Sequence, residues 1–419
     1  MKIEDAKRWF AVALIAAFAV WGVCAGLDVG KQRKLMFRGG TELLTDFWMP
    51  RTVASSGYDI SEADREASDR VLGGASGRVD GRMVVAQYDR CYPALPVVLV
   101  KLFPATWTGA VLWTCLGAAV FALALWVVMA SAGCRNRTLF AALMLGMPVL
   151  FNLERANPIW LSAAAIGIFL AWWDDETKWK RYAAAVCLAV ATVLKISPGA
   201  LGLLYLLGLS RNAAVGAGFW RGWIRYWKEI GVCALAAVLL FVVPWLFVPG
   251  GFSAIPRMFE NAAANSAAYA HGAVFGLIGY WRMARVALNL NCSHLWSGGI
   301  SVVRLSQVLG LVALVWGARK RDYVLLIGGL LLAAGNMHYY GALYLYPVFI
   351  LTPPRRRLEI LLWFVVFCPL QLVFGIHSAN AQLCNTALLS LMALHLLYCS
   401  RDTQTTQTSK QPKHFPTNL

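Results

Sequence analysis

The chain has 419 residues, of which 59% are hydrophobic and only 14% charged, with a mean hydropathy of +0.58. Soluble domains sit nearer roughly 25% charged, so a water-soluble enzyme of this length is excluded, as are intrinsic disorder, collagen-like repeats and a small disulfide scaffold. The net charge of +17 lies in short basic clusters between apolar stretches rather than on one face of a domain, which argues against a nucleic-acid partner and for an integral membrane protein.

In chain order, Lys2, Lys7 and Arg8 precede an apolar run at 9–27. This run exceeds the roughly 7–15 residues of a secretory h-region and no A-x-A site closes it, so a retained signal anchor is expected. Further apolar runs follow at 106–130, 138–151, 158–173, 182–194 and 198–209. The second half adds 229–248, 299–317, 323–335, 339–351, 358–375 and 382–398. Several are shorter than the ~20 residues of a full span and predict half-depth helices meeting at recessed turns, where polar backbone must line a cavity or be buried in protein. The expected fold class is an all-α polytopic membrane protein of about twelve spans.

Orientation follows from the short loops. Arg135/Arg137, 178–181, 211–228, 319–321, 355–357 and Arg401 all fall on one side if the N-terminus is cytoplasmic, and that side collects most of the basic surplus. Both termini are then expected inside. The opposite face collects the long loop 28–92, the turns at 154–158 and 195–198, the segment 252–297 and the turn at 336–338. The ten Cys form no C-x-x-C pair and have no His at metal-ligand spacing, so no metal site or cofactor is expected. Cys91 and Cys292 fall in external loops, where pairing depends on a separation that sequence does not give.

The misplaced polar residues carry the chemistry. Asp46, in Thr45-Asp46-Phe47-Trp48, reads either as a solvated loop acid or as a partly desolvated carboxylate suited to act as a base. Lys195 ends an apolar run too short to span, so its ammonium either snorkels to headgroups or holds an anionic lipid phosphate. Glu154, Arg155 and Asn157 form a recessed turn, read as a structural pair or as substrate ligands, with Arg suited to bidentate recognition. Asn336, His338 and Tyr339 close a third such turn. Arg304 lies just inside a span, and His271 and Arg282 sit in a Gly- and Ala-rich loop.

The order of these motifs resembles the GT-C glycosyltransferases, and within them glycosyltransferase family 87, the polyprenyl-phosphate-mannose-dependent α-mannosyltransferases. The matching stretches are Asp46-Phe47, Tyr92-Pro93-Ala94-Leu95, Asn157, Leu194-Lys195-Ile196-Ser197-Pro198 and His338-Tyr339. Two departures stand out: the family's Gly-Gln-x-Asn turn is Glu154-Arg155-Ala156-Asn157, and its second Pro after Tyr-Pro is Ala94. The resemblance implies a catalytic domain over 1–351, C-terminal transmembrane helices over 352–400 and a disordered cytoplasmic tail over 401–419. It implies inverting, metal-independent transfer of a hexose, with mannose the family's sugar, from a polyprenyl-phosphate donor to a glycolipid or glycan hydroxyl on the non-cytoplasmic face of the plasma membrane. Asp46 matches the family's base. Lys195, His338, Arg155, Asn157, Arg304 and Tyr92 fall to the donor, and Glu154, His271, Arg282, Asn336 and Tyr339 to the acceptor or its loop. The alternatives are a lipid-linked sugar flippase or transporter, which also carries intramembrane charges, and a passive envelope scaffold.

Overall fold

A computed structural model of the chain describes residues 3–26, 44–72, 76–79, 82–207, 219–269, 275, 277, 280, 302–334, 339–369 and 377–408. Helices dominate. They are α1 (Ile3–Gly26), α2 (Thr45–Ser56), α3 (Glu62–Leu72), α4 (Ala94–Lys101), α5 (Trp107–Ser131), α6 (Arg137–Met144), α7 (Met147–Arg155), α8 (Ile159–Trp172), α9 (Lys178–Leu194) and α10 (Leu203–Leu207). There follow α11 (Phe219–Trp245), α12 (Ile255–Tyr269), α13 (Val302–Lys320), α14 (Tyr323–Ala333), α15 (Leu345–Leu351), α16 (Arg357–Phe367) and α17 (His377–Thr408). A two-stranded antiparallel ribbon, β1 (Gly77–Val79) and β2 (Arg82–Val84), interrupts the helices.

Among the described residues, three segments are long and apolar enough to cross a membrane alone: α5, Ile224–Trp245 of α11 and Gln382–Ser400 of α17. Leu235, Val238 and Leu239 on α11 and Leu112, Leu116 and Leu123 on α5 are exposed, as suits helices facing lipid. The apolar helices Ile159–Trp172, Tyr323–Ala333 and Tyr340–Leu351 are shorter. One core joins α1, α5–α9, α13–α17 and α10, so residues on both sides of position 351 share it.

Several boundaries differ from the expectation. The run at 138–151 breaks into α6 and α7, bent by 48°; Gly146 is extended at the break, with no room for a side chain beside the Tyr346 hydroxyl, and Pro148 restarts the helix. Tyr92-Pro93 leads into the short α4, which no apolar run announced, and the following span starts after the Thr106 cap. Glu229 does not open a span but lies buried within α11, bonded to Arg181 at 2.8 Å. Pro198 opens a 3-10 turn, Ser197–Gly202, ahead of α10. The segment assigned to a disordered tail from 401 continues as helix to Thr408, and 409–419 lie outside the described residues.

The connection between α1 and α4 is folded where described. Arg90 has no exposed surface and ties its parts together: Nη1 donates to Ser56 Oγ, Gly57 O and Asp59 O, Nε to Val85 O, and Nη2 pairs with Asp64 at 3.4 Å. Burial lowers the pKa of its guanidinium, against the pull of Asp64 and Asp59. From α12, Asn261 donates to Tyr58 O and Arg90 O and accepts from Gln87, while Asn265 donates to Asp89. The stretch 61–90 and the start of the segment 252–297 therefore form one polar layer.

The tightest helix pair is α13 with α14, where Gly310, Gly317 and Gly329 let the backbones meet. A Cβ at Gly329 would lie 2.5 Å from Leu314 N and 2.6 Å from Gly310 O. Gly329→Ala is expected to cost about 1–3 kcal/mol, seen as a lower apparent melting temperature in detergent. Gly231→Ala on α11, where a Cβ meets nothing within 4 Å, should leave it unchanged or raise it.

Candidate active site

Asp46 occupies the first turn of α2 and is 3% exposed. A helix N-terminus favours a carboxylate there, and the solvated-loop reading of Asp46 is thereby replaced. Arg155, from the last turn of α7, holds it side-on: Nε donates to Oδ2 at 3.2 Å and Nη2 to Oδ1 at 3.0 Å. Asn157 donates from Nδ2 to Oδ2 at 2.9 Å, and its own Oδ1 accepts from the Ile159 N–H, capping α8. Three of the roughly four acceptor positions on the carboxylate are thus taken.

The backbone builds this cluster at a local cost. Ala156, between the two ligands of Asp46, is left-handed at φ 57°, and Leu44, ahead of α2, is left-handed at φ 56°. Such residues cost on the order of 1–3 kcal/mol and persist only where their surroundings fix them. Here the Leu44 N–H donates to Glu154 O at 2.8 Å, and Trp113 Nε1 donates to Ala156 O at 3.0 Å. The left-handed turn is what aims both Arg155 and Asn157 at Asp46. Leu44, Phe47, Trp113 and Ala156 pack as an apolar floor beneath them.

Lys195 caps α9 in an extended conformation. The helices α8 and α9 run antiparallel, joined by Ser162 Oγ to Ala191 O at 3.4 Å, so Asn157 at the start of one and Lys195 at the end of the other share one end of the bundle. The Lys195 ammonium lies 5.4 Å from the Tyr340 ring, which stacks in turn on Phe151 of α7. Ser162 and the Tyr344 hydroxyl are 2.9 Å apart. Electrostatics links the same groups across the gap. Burial pushes the Cys91 thiol up to about 12, opposed by Lys195. Burial also raises the pKa of the Tyr92 hydroxyl well above its ordinary value, with Asp46 adding to it.

Of the remaining expected site residues, Tyr92 is half-buried with its hydroxyl 4.0 Å from Met49 Sδ, and Glu154 is buried. Arg304 is exposed near the start of α13. Tyr339 begins a 3-10 turn (Tyr339–Tyr344), and its side chain is outside what the structure describes. His271, Arg282, Asn336, His338 and Cys292 lie outside the described residues, and Cys91 carries a free thiol. The sequence reading missed Tyr340, although it follows Tyr339 directly, and Trp113, which looks like any apolar span residue until its indole meets Ala156 O. No protein family, curated protein or solved structure matches the chain.

Removing one partner of a buried ion pair strands the other. Arg155→Ala is expected to lower the melting temperature, by less than the ~3–5 kcal/mol of a fully buried pair because the Arg155 side chain keeps 23% exposure. The double variant Asp46→Asn with Arg155→Ala should recover much of the loss, measured by the double-mutant cycle in one detergent.

Proposed function

We propose that the chain is a membrane glycosyltransferase that moves a hexose from a polyprenyl-phosphate donor to an acceptor hydroxyl on the non-cytoplasmic face. The observation that carries this reading is the buried Asp46 carboxylate, fixed by Arg155 and Asn157 at the same end of the α8–α9 pair as Lys195. A lipid-phosphate donor needs preplaced cations for the charge that grows on its leaving phosphate, and an acceptor hydroxyl needs a positioned base.

In this mechanism the acceptor hydroxyl approaches Oδ1 of Asp46, the oxygen that among the described residues accepts only from Arg155 Nη2. The hydroxyl proton passes to the carboxylate as the oxygen attacks the anomeric carbon from the face opposite the phosphate. The carbon–oxygen bond to phosphate breaks, the configuration inverts, and polyprenyl phosphate leaves. Lys195 stabilises the departing phosphate, while Tyr340 walls its ammonium from the side. Arg155 serves by holding Asp46 in place rather than by meeting the donor directly, a different role from the one its sequence position suggests. A cytoplasmic N-terminus, with the basic loops on the same side, puts this end of the bundle outside the cell.

Purified protein incubated with a panel of polyprenyl-phosphate sugars and a glycan acceptor tests the proposal by release of free polyprenyl phosphate. Asp46→Asn is expected to lower the rate by about 10²–10⁴, the range a general base supplies, and Lys195→Ala by about 10²–10³, the scale of a lost charge stabiliser. Transfer retained in Asp46→Asn at normal expression removes the base assignment. A donor that crosses the bilayer intact, without phosphate release, favours a flippase instead.

A further inference from the structure

The far end of the α8–α9 pair holds a second polar feature that sugar transfer does not use. The fourteen residues of α8 carry the chain ~21 Å from Asn157 to Trp173 and Asp174. There the ends of α1, α5, α8, α14 and α15 surround a cavity of about 930 Å³. Lys7, Arg225, Lys320, Arg321 and Arg355 contribute to its wall.

Most of the acids on the same wall are already engaged. Asp174 pairs with Arg321 at 2.8 Å and Arg225 at 3.5 Å, and accepts from the Tyr226 hydroxyl. Asp175 pairs with Lys180 at 3.0 Å. Asp322 caps α14 through Leu325 N and contacts His395 at 2.7 Å. Glu176 is the one remaining acid on the wall.

The cations have capacity left. Arg321 uses only Nη1 on Asp174, and its Nε and Nη2 are buried without a hydrogen-bond partner among the described residues. Those two nitrogens form the side-on fork that grips a phosphate with two parallel bonds, the same fork by which Arg155 holds Asp46. Arg321 is also left-handed, at φ 55°, an unfavourable conformation for a long side chain. That conformation lays its guanidinium 4.5 Å from the Trp173 ring. The Arg355 guanidinium lies over the Tyr398 ring at 4.9 Å.

We propose that this cavity binds a phosphate-bearing anion, either a soluble diphosphate or the headgroup of an anionic lipid, with Arg321 turning its free fork onto the phosphate and Arg355 and Lys7 completing its charge. The site is separate from the one proposed for sugar transfer and holds whether or not that reading stands.

Isothermal titration of the full-length protein in a non-ionic detergent tests it with three probes: inorganic pyrophosphate, dihexanoyl phosphatidic acid and, as control, dihexanoyl phosphatidylcholine. Saturable binding of one equivalent of pyrophosphate, of the phosphatidic acid or of both is expected, and not of the choline lipid. Binding of pyrophosphate alone identifies a soluble ligand, and binding of phosphatidic acid alone a lipid headgroup. Arg321→Gln and Arg355→Gln should each weaken binding by at least about tenfold, whereas Lys195→Gln at the other end should not. Arg355→Gln also serves where Arg321→Gln fails to fold. The proposal is overturned if neither phosphate probe binds, if Arg355→Gln binds like the unaltered protein, or if only Lys195→Gln abolishes binding.

Discussion

A carboxylate taken out of water must be paired, and the pairing of Asp46 organises the upper part of this molecule. Its two oxygens accept from Arg155 and Asn157, which sit on either side of one left-handed alanine. Satisfying that single group therefore specifies where α2, α7 and α8 meet and how the chain turns between the last two. The indole of Trp113 and the backbone of Leu44 hold the turn in place. Strain of this kind survives only because the charge it serves would be far more costly unpaired.

The α8–α9 pair then sets the distance between two polar ends. One carries Asp46, Asn157 and Lys195; the other carries Asp174, Arg181 and the arginines around the cavity. Between them α8 is almost wholly apolar and buried, from Ala163 to Leu170. At fourteen residues α8 is shorter than the ~20 residues of a full span. Ionised groups taken out of water need partners. Asp46 has them in the side-on fork of Arg155, and Asp174 in single contacts from Arg321 and Arg225 and the Tyr226 hydroxyl.

Much of the helical content was legible because apolar runs are a one-dimensional signal. The run at 158–173 became Ile159–Trp172, that at 323–335 became Tyr323–Ala333, and that at 106–130 became Trp107–Ser131 behind a Thr cap. The failures came where an element depends on a distant residue. Hydropathy showed no break at Gly146, where the Tyr346 hydroxyl, 200 positions away, takes the room a side chain would need. Polar helices such as α3 and α12 gave no apolar run, and their order rests on Arg90 and Asn261 bonding across the layer. Glu229, which hydropathy placed at the edge of a span, lies inside α11 and is paired with Arg181 from α9.

Composition and pattern alone therefore determined that this is a helical membrane protein, where its apolar helices run, and that Asp46, Arg155, Asn157 and Lys195 are out of place by hydropathy. Only the tertiary structure decided that Arg155 belongs to Asp46, that Tyr340 faces Lys195, and that Arg321 reaches a cavity at the opposite end. Burial is written along the chain because each residue carries its own transfer free energy. Pairing is not, because the free energy of a buried charge depends on which partner the fold brings within about 3 Å.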